Sequence, residues 1–105
     1  MPPGRVGVKD TRVTLEDVPK QLFIGGEWRA ASDGRRFAVH DPASGEGIAE
    51  VADAAPQDGL DAVAAARGAQ PGWAALAPRQ RADVLHRAFE RTAAASEDLA
   101  RLIVR

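Results

Sequence analysis

Short apolar runs separated by turn residues fill the first half of this chain, and a helical spacing of apolar positions takes over from Pro56. Leu22-Phe23-Ile24 and Glu27-Trp28-Arg29 flank Gly25-Gly26, and two adjacent glycines accept the positive φ angles that a two-residue hairpin demands. Residues 37–40 and 48–52 flank a second turn, Asp41-Pro42-Ala43-Ser44-Gly45. There the Asp41 carboxylate accepts backbone hydrogen bonds, Pro42 presets φ at about −65°, and Gly45 takes the left-handed position that closes the turn. Phe37, Val39, Ile48 and Val51 are the apolar residues expected to face a core, on an alternation too short to set strand register. Between the two hairpins, residues 30–36 are polar and turn-rich around Ser32-Asp33-Gly34 and read as a surface connection.

Three helices are predicted after Pro56. The first places Pro56 at the opening helical position and Asp58 in the first turn, where a carboxylate opposes the positive end of the helix dipole. Leu60, Val63, Ala64 and Ala66 or Arg67 follow at helical spacing. Ala55 is a poor N-cap, and Gly59 and Gly68 each cost about 1 kcal/mol against alanine. This mostly alanine face buries little area per residue, so the helix depends on docking against a larger body. Gln70-Pro71-Gly72 is expected to stop it, with Trp73 filling the junction that follows. A second helix is predicted over residues 78–94, with Ala82, Leu85, Phe89 and Thr92 on one stripe, widened by Val84 and Ala88, and Asp83 paired with Arg87. The third opens at Ser96 as N-cap, with Glu97 and Asp98 behind it and Leu99, Leu102 and Ile103 as its stripe. It reaches Arg105 without a terminating Gly, Asn or Pro, which leaves two readings, a natural C-terminal helix that frays or a chain cut inside an element, and the family resemblance of the whole pattern favours the second.

Residues 1–20 form a leader of low definition. Val6, Val8, Val13 and Leu15 suit short edge strands, but Pro2, Pro3, Gly4, Gly7 and Pro19 favour an extended arm, disordered through about Thr11 and less ordered up to Pro19. The whole chain of 105 residues is at most one small domain, of a size that buries roughly two thirds of its unfolded surface. Fourteen basic against 15 acidic residues give a net charge of −1, so charge makes no case for nucleic acid or an anionic membrane. Neither a transmembrane run nor a signal-peptide apolar stretch is present, and cysteine is absent, so a cytoplasmic location is expected. Twelve of the 14 basic residues are arginine, a bias that together with the alanine excess points to a GC-rich bacterial genome.

Candidate chemistry is sparse. Nucleophilic attack of the thiolate kind needs a cysteine, and there is none. Gly45-Glu46-Gly47 sits inside a hairpin with no helix opening after it, which makes it a turn rather than a phosphate-binding loop. His40 and His86 lie far apart with no cysteine partners, against a zinc site; His40 is expected at a strand end and His86 on the polar side of its helix. Ser32, Ser44 and Ser96 belong to turns or a cap and lack a nucleophile-elbow context. Asp58 with Asp61, and Glu97 with Asp98, are carboxylate pairs that helix N-terminal turns explain. Arg79, Arg81, Arg87 and Arg91 are interrupted by Asp83 and Glu90 and carry no interleaved aromatics for base stacking. No catalytic, cofactor-binding or metal-ligating residue is therefore assigned.

Taken in order, these segments resemble the N-terminal part of the aldehyde dehydrogenase superfamily over residues 21–105. The resemblance rests on Phe23-Ile24-Gly25-Gly26-Glu27-Trp28, Asp41-Pro42-Ala43-Ser44-Gly45-Glu46, the alanine-rich stretch 61–69 before Trp73, the arginine-containing stretch 81–90, and residues 97–103. Asp41 and Ser44 stand where the family usually has Asn and Thr, keeping polar turn formers. Gly47, Gly59 and Gln70 replace bulkier residues and weaken packing. The wording of residues 22–28 and 51–54 is nearest in flavour to succinate-semialdehyde dehydrogenases. The resemblance implies an α+β piece, β-hairpin strands followed by three helices, of an α/β aldehyde dehydrogenase-type fold. It further implies a parent enzyme that uses NAD or NADP, a catalytic cysteine and a glutamate base, none of which this segment supplies. The expected reading is a catalytically silent N-terminal fragment that needs the rest of its enzyme, or an oligomer partner, for stability. The alternative is a non-catalytic interaction module that reuses the scaffold to bind a partner subunit.

Overall fold

The computed structural model describes residues 14–104. Strands β1 (Leu22–Ile24) and β2 (Glu27–Arg29) form one antiparallel hairpin, and β3 (Arg36–His40) and β4 (Gly47–Ala52) form a second, each a separate two-stranded sheet. Helices α1 (Pro56–Ala75), α2 (Pro78–Ala94) and α3 (Ser96–Ile103) follow. The α+β order of the sequence reading is thus the order observed.

Both turns form as their residues dictate. Gly25 and Gly26 have φ of +62° and +83°, and Ile24 pairs with Glu27 directly across them. Gly45 has φ of +79° and donates its N–H to the Asp41 carbonyl at 2.7 Å. The Asp41 Oδ1 accepts from Ala43 N at 2.9 Å and the Ser44 Oγ from Glu46 N at 3.2 Å, so both departures from the family pattern still build the turn. The register opposes Val39 to Ala49 and His40 to Gly47, which leaves Ile48 as an extra residue in β4. Val39, Ile48 and Val51 are half-buried as expected, whereas Phe37 is exposed. Two backbone bonds tie the segments together: Ala52 N to Lys20 O and Asp53 N to Arg35 O, both at 2.9 Å.

Part of the leader falls within the described residues. Leu15–Asp17 form a 3₁₀ turn rather than an edge strand. Asp17 Oδ2 accepts from Thr14 N at 3.0 Å, and Lys20 Nζ donates to the carbonyls of Leu15 and Val18 at 2.8 and 2.9 Å. The expectations for Val6, Val8 and Val13 and for disorder through Thr11 lie outside the described residues.

Helix α1 corrects the predicted stop. It runs through Pro71 to Ala75, with Trp73 inside it rather than at a junction beyond it. A proline in a helix interior removes one N–H donor and crowds the carbonyl four residues back, a local defect that the alanine-rich flanks tolerate. The actual stop is Pro78, whose ring forces the residue before it out of helical geometry. Ala77 is accordingly extended, with ψ of 148°, and Leu76 before it is extended as well, with ψ of 146°. The Arg81 guanidinium then reaches back from α2 to the carbonyls of Ala74 and Leu76 and satisfies the end of α1. Restoring the missing N–H with Pro71→Ala is expected to raise helical ellipticity at 222 nm and to stabilise α1 by up to about 3 kcal/mol, read by circular dichroism; unchanged or reduced ellipticity would show that the proline costs nothing here.

Two further details differ. Ala95, not Ser96, occupies the N-cap of α3, with φ −99° and ψ 13°, and Ser96 is its first helical residue. Ala95 N still bonds the carbonyls of Arg91 and Thr92 at 3.1 Å, so the chain barely leaves its helical path between α2 and α3 and no extended capping residue is required. On α2 the expected Asp83–Arg87 pair does not form; instead His86 Nε2 lies 3.7 Å from Glu90 Oε2.

The core is small. Ala31 is the buried apolar residue among those described, while Phe23, Leu60, Val63, Leu85 and Phe89 each remain more than half exposed. The radius of gyration of 18.3 Å compares with about 13 Å for a compact chain of this length. Helical spacing is present on α2, yet among the described residues no layer covers its stripe at Leu85 and Phe89.

Candidate functional site

The most constrained place in the structure is where the first hairpin meets the start of α1. Asp58 is 1% exposed, whereas the other charged side chains among the described residues are half-buried or exposed. It occupies the third helical position, and its Oδ2 reaches back to accept the Ala55 N–H at 2.8 Å, which caps the helix that Ala55 itself cannot cap. Gln80 does the same for α2, accepting Ala77 N at 3.0 Å.

The same carboxylate gathers three more donor groups from elsewhere. Ser32 N lies 3.1 Å from both Asp58 oxygens, Ser32 Oγ 3.3 Å from Oδ2, and Arg29 Nη2 2.6 Å from Oδ1. Arg29 ends β2, and the same Nη2 donates to Asp61 Oδ2 at 3.0 Å. Asp61 stands one helical turn after Asp58, on the same face, and also accepts Gln57 Nε2 at 2.9 Å. Residues 30–36 are therefore more than a surface connection. They carry the buried Ala31 and the donors of Ser32 into the joint.

The electrostatics follow from these bonds. The N–H groups of Ala55 and then Ser32 hold the Asp58 carboxyl below its ordinary range, against the burial that opposes ionisation, and Arg29 adds to the effect. Gln57 and then Arg29 lower Asp61. Asp61 raises Arg29, again against burial. Arg29 Nε is buried with no hydrogen-bond partner, so the guanidinium is held by its outer nitrogen alone.

What this arrangement does chemically is narrow. A carboxylate has about four lone-pair sites, and four donor groups already occupy those of Asp58. It is ionised at neutral pH and closed to solvent, so it neither donates nor takes up a proton for a substrate. It is a clasp between hairpin and helix. Because its pKa in the fold is lowered below the unfolded value of about 3.9, its contribution is complete above that value and is lost as pH falls through the folded pKa. The expected result is that the Ser32 and Ala55 amide shifts in a pH titration stay unchanged down to about pH 4 and move only below it; movement between pH 5 and 7 would contradict the assignment.

The other candidates stay apart. His40 ends β3 and packs its ring beside Gly47, and His86 pairs with Glu90 on exposed α2. Ser44 belongs to its turn. Among the described residues, no group of three or more His, Cys, Asp or Glu is placed to hold a metal ion, and no helix is long and apolar enough to cross a membrane. A cleft of about 220 Å³ includes Lys20, Arg35 and Arg36 in its lining. Each of these cations already has partners, in the carbonyls of Leu15 and Val18, in Asp53 at 4.0 Å, and in Glu50 at 3.8 Å. The glycine turns at Gly25-Gly26 and Gly45 open onto strands, not onto a helix N-terminus.

Sequence reasoning placed Asp58 and Asp61 at a helix N-terminus and stopped there. Ala-Pro-Gln-Asp, with an acid at the third helical position, signals the capping bond to Ala55. Nothing in the sequence signals Arg29, which is 29 residues away from Asp58.

Comparison with known proteins gives the scaffold its family. The model described as the aldehyde dehydrogenase family matches residues 28–105. The chain belongs to the aldehyde dehydrogenase family. Vanillin dehydrogenase of Pseudomonas fluorescens is 48% identical over 80 residues, covering 76% of this chain and 16% of that protein. Vanillin dehydrogenase of Pseudomonas sp. strain HR199 is 49% identical over 84 residues, 72% of this chain and 18% of that protein. Among solved structures, the succinate-semialdehyde dehydrogenase of Burkholderia pseudomallei superposes with a TM-score of 0.79 at 36% identity, covering 86% of this chain and 19% of its own. An E. coli NADP-dependent enzyme gives 0.77 at 35%, with 79% and 17% covered. This aldehyde dehydrogenase segment thus spans less than a fifth of the length of each relative.

Proposed function

We propose that residues 21–105 are the opening scaffold of a NAD(P)-dependent aldehyde dehydrogenase that oxidises an aldehyde to a carboxylic acid, with residues 1–20 as a leader to it. In this reading the segment contributes architecture and no reacting group. The observation that carries it is the family match over residues 28–105, together with the fact that the most buried charged group among the described residues is spent entirely on internal hydrogen bonds. The nucleotide and the aldehyde belong to parts of the enzyme outside these residues. The exposed apolar side chains of the helices are the surface that those parts cover.

Both Pseudomonas relatives are vanillin dehydrogenases, and the Burkholderia structure is a succinate-semialdehyde dehydrogenase. The same segment recurs in relatives named for such different aldehydes, which supports a scaffold role. The purified 105-residue chain is expected to give no turnover with NAD or NADP and a panel of short and aromatic aldehydes; turnover above a no-protein blank would overturn the proposal. Co-expressed with a Pseudomonas fluorescens vanillin dehydrogenase lacking its matching segment, the chain is expected to restore measurable activity. Co-purification of the two pieces without any recovered activity would instead favour a binding module.

A further inference from the structure

We draw no further inference here: the strongest candidate, the unpartnered apolar face of α2 at Leu85 and Phe89, carries nothing because the structure does not show what covers it, beyond the remainder of the enzyme to which the proposed function already assigns it.

Discussion

Asp58→Asn is expected to release the first hairpin from α1 while leaving both secondary structures formed. The native carboxylate takes four donor groups; an amide offers one acceptor oxygen and turns an NH₂ toward the others. At least one of the N–H groups of Ser32 and Ala55 then loses its acceptor inside a joint that excludes water, the situation in which a missing hydrogen bond costs most. Hydrogen exchange followed by NMR should show the protection of the Ser32 and Ala55 amides falling roughly 10- to 100-fold. The hairpin bonds between Ile24 and Glu27 should persist, because their register depends on Gly25 and Gly26 and not on the clasp. Asp61→Asn is the control. Asp61 is 38% exposed and holds only Gln57 and a share of Arg29, so water replaces what it loses and the change should stay within about threefold. Equal effects at the two positions would mean that the clasp is merely a surface ion pair.

The second expected result concerns the chain as a whole. In urea, the isolated protein should unfold over a broad range with no sharp midpoint, and its apparent m-value should fall below about 1 kcal/mol/M, the low end for small cooperative domains. Cooperativity comes from apolar area that is buried together and exposed together. Among the described residues Ala31 is the buried apolar one, while Phe23, Leu60, Leu85 and Phe89 stay more than half exposed. A fully buried side chain of that size contributes about 1.5–3 kcal/mol, and most of that is unrealised. The same exposure predicts strong binding of a hydrophobic dye under native conditions. A steep two-state transition seen by both circular dichroism and Trp fluorescence would show that the helices find a partner surface, for instance in a second copy.

Local chemistry explains what could be read in advance. Gly25-Gly26 and Asp41 to Gly45 form their turns because positive φ and Asx-type hydrogen bonds are properties of those residues, whatever surrounds them. Pro78 ends α1 for an equally local reason. Pro71 does not, because a single interior proline is a cost that neighbouring residues can outweigh, and the sum over a long helix is invisible in a tripeptide. The family resemblance was legible for the same cause: it is carried by turns, caps and apolar spacing that recur in order along residues 21–105, and the match over residues 28–105 agrees with it.

Turn positions, strand and helix order, and the family were therefore determined by the sequence by itself, since each follows from backbone preferences acting over a few residues. Only the tertiary structure decided that Arg29, Ser32, Asp58 and Asp61 meet, and that Asp58 is the most buried charge among the described residues. That meeting depends on how the hairpin lies across the helix, a long-range arrangement that local propensity does not encode. It also decided that a well-spaced apolar stripe on α2 meets no core among the described residues: amphipathic spacing declares that a face is to be buried, and the packing alone determines whether anything is there to bury it.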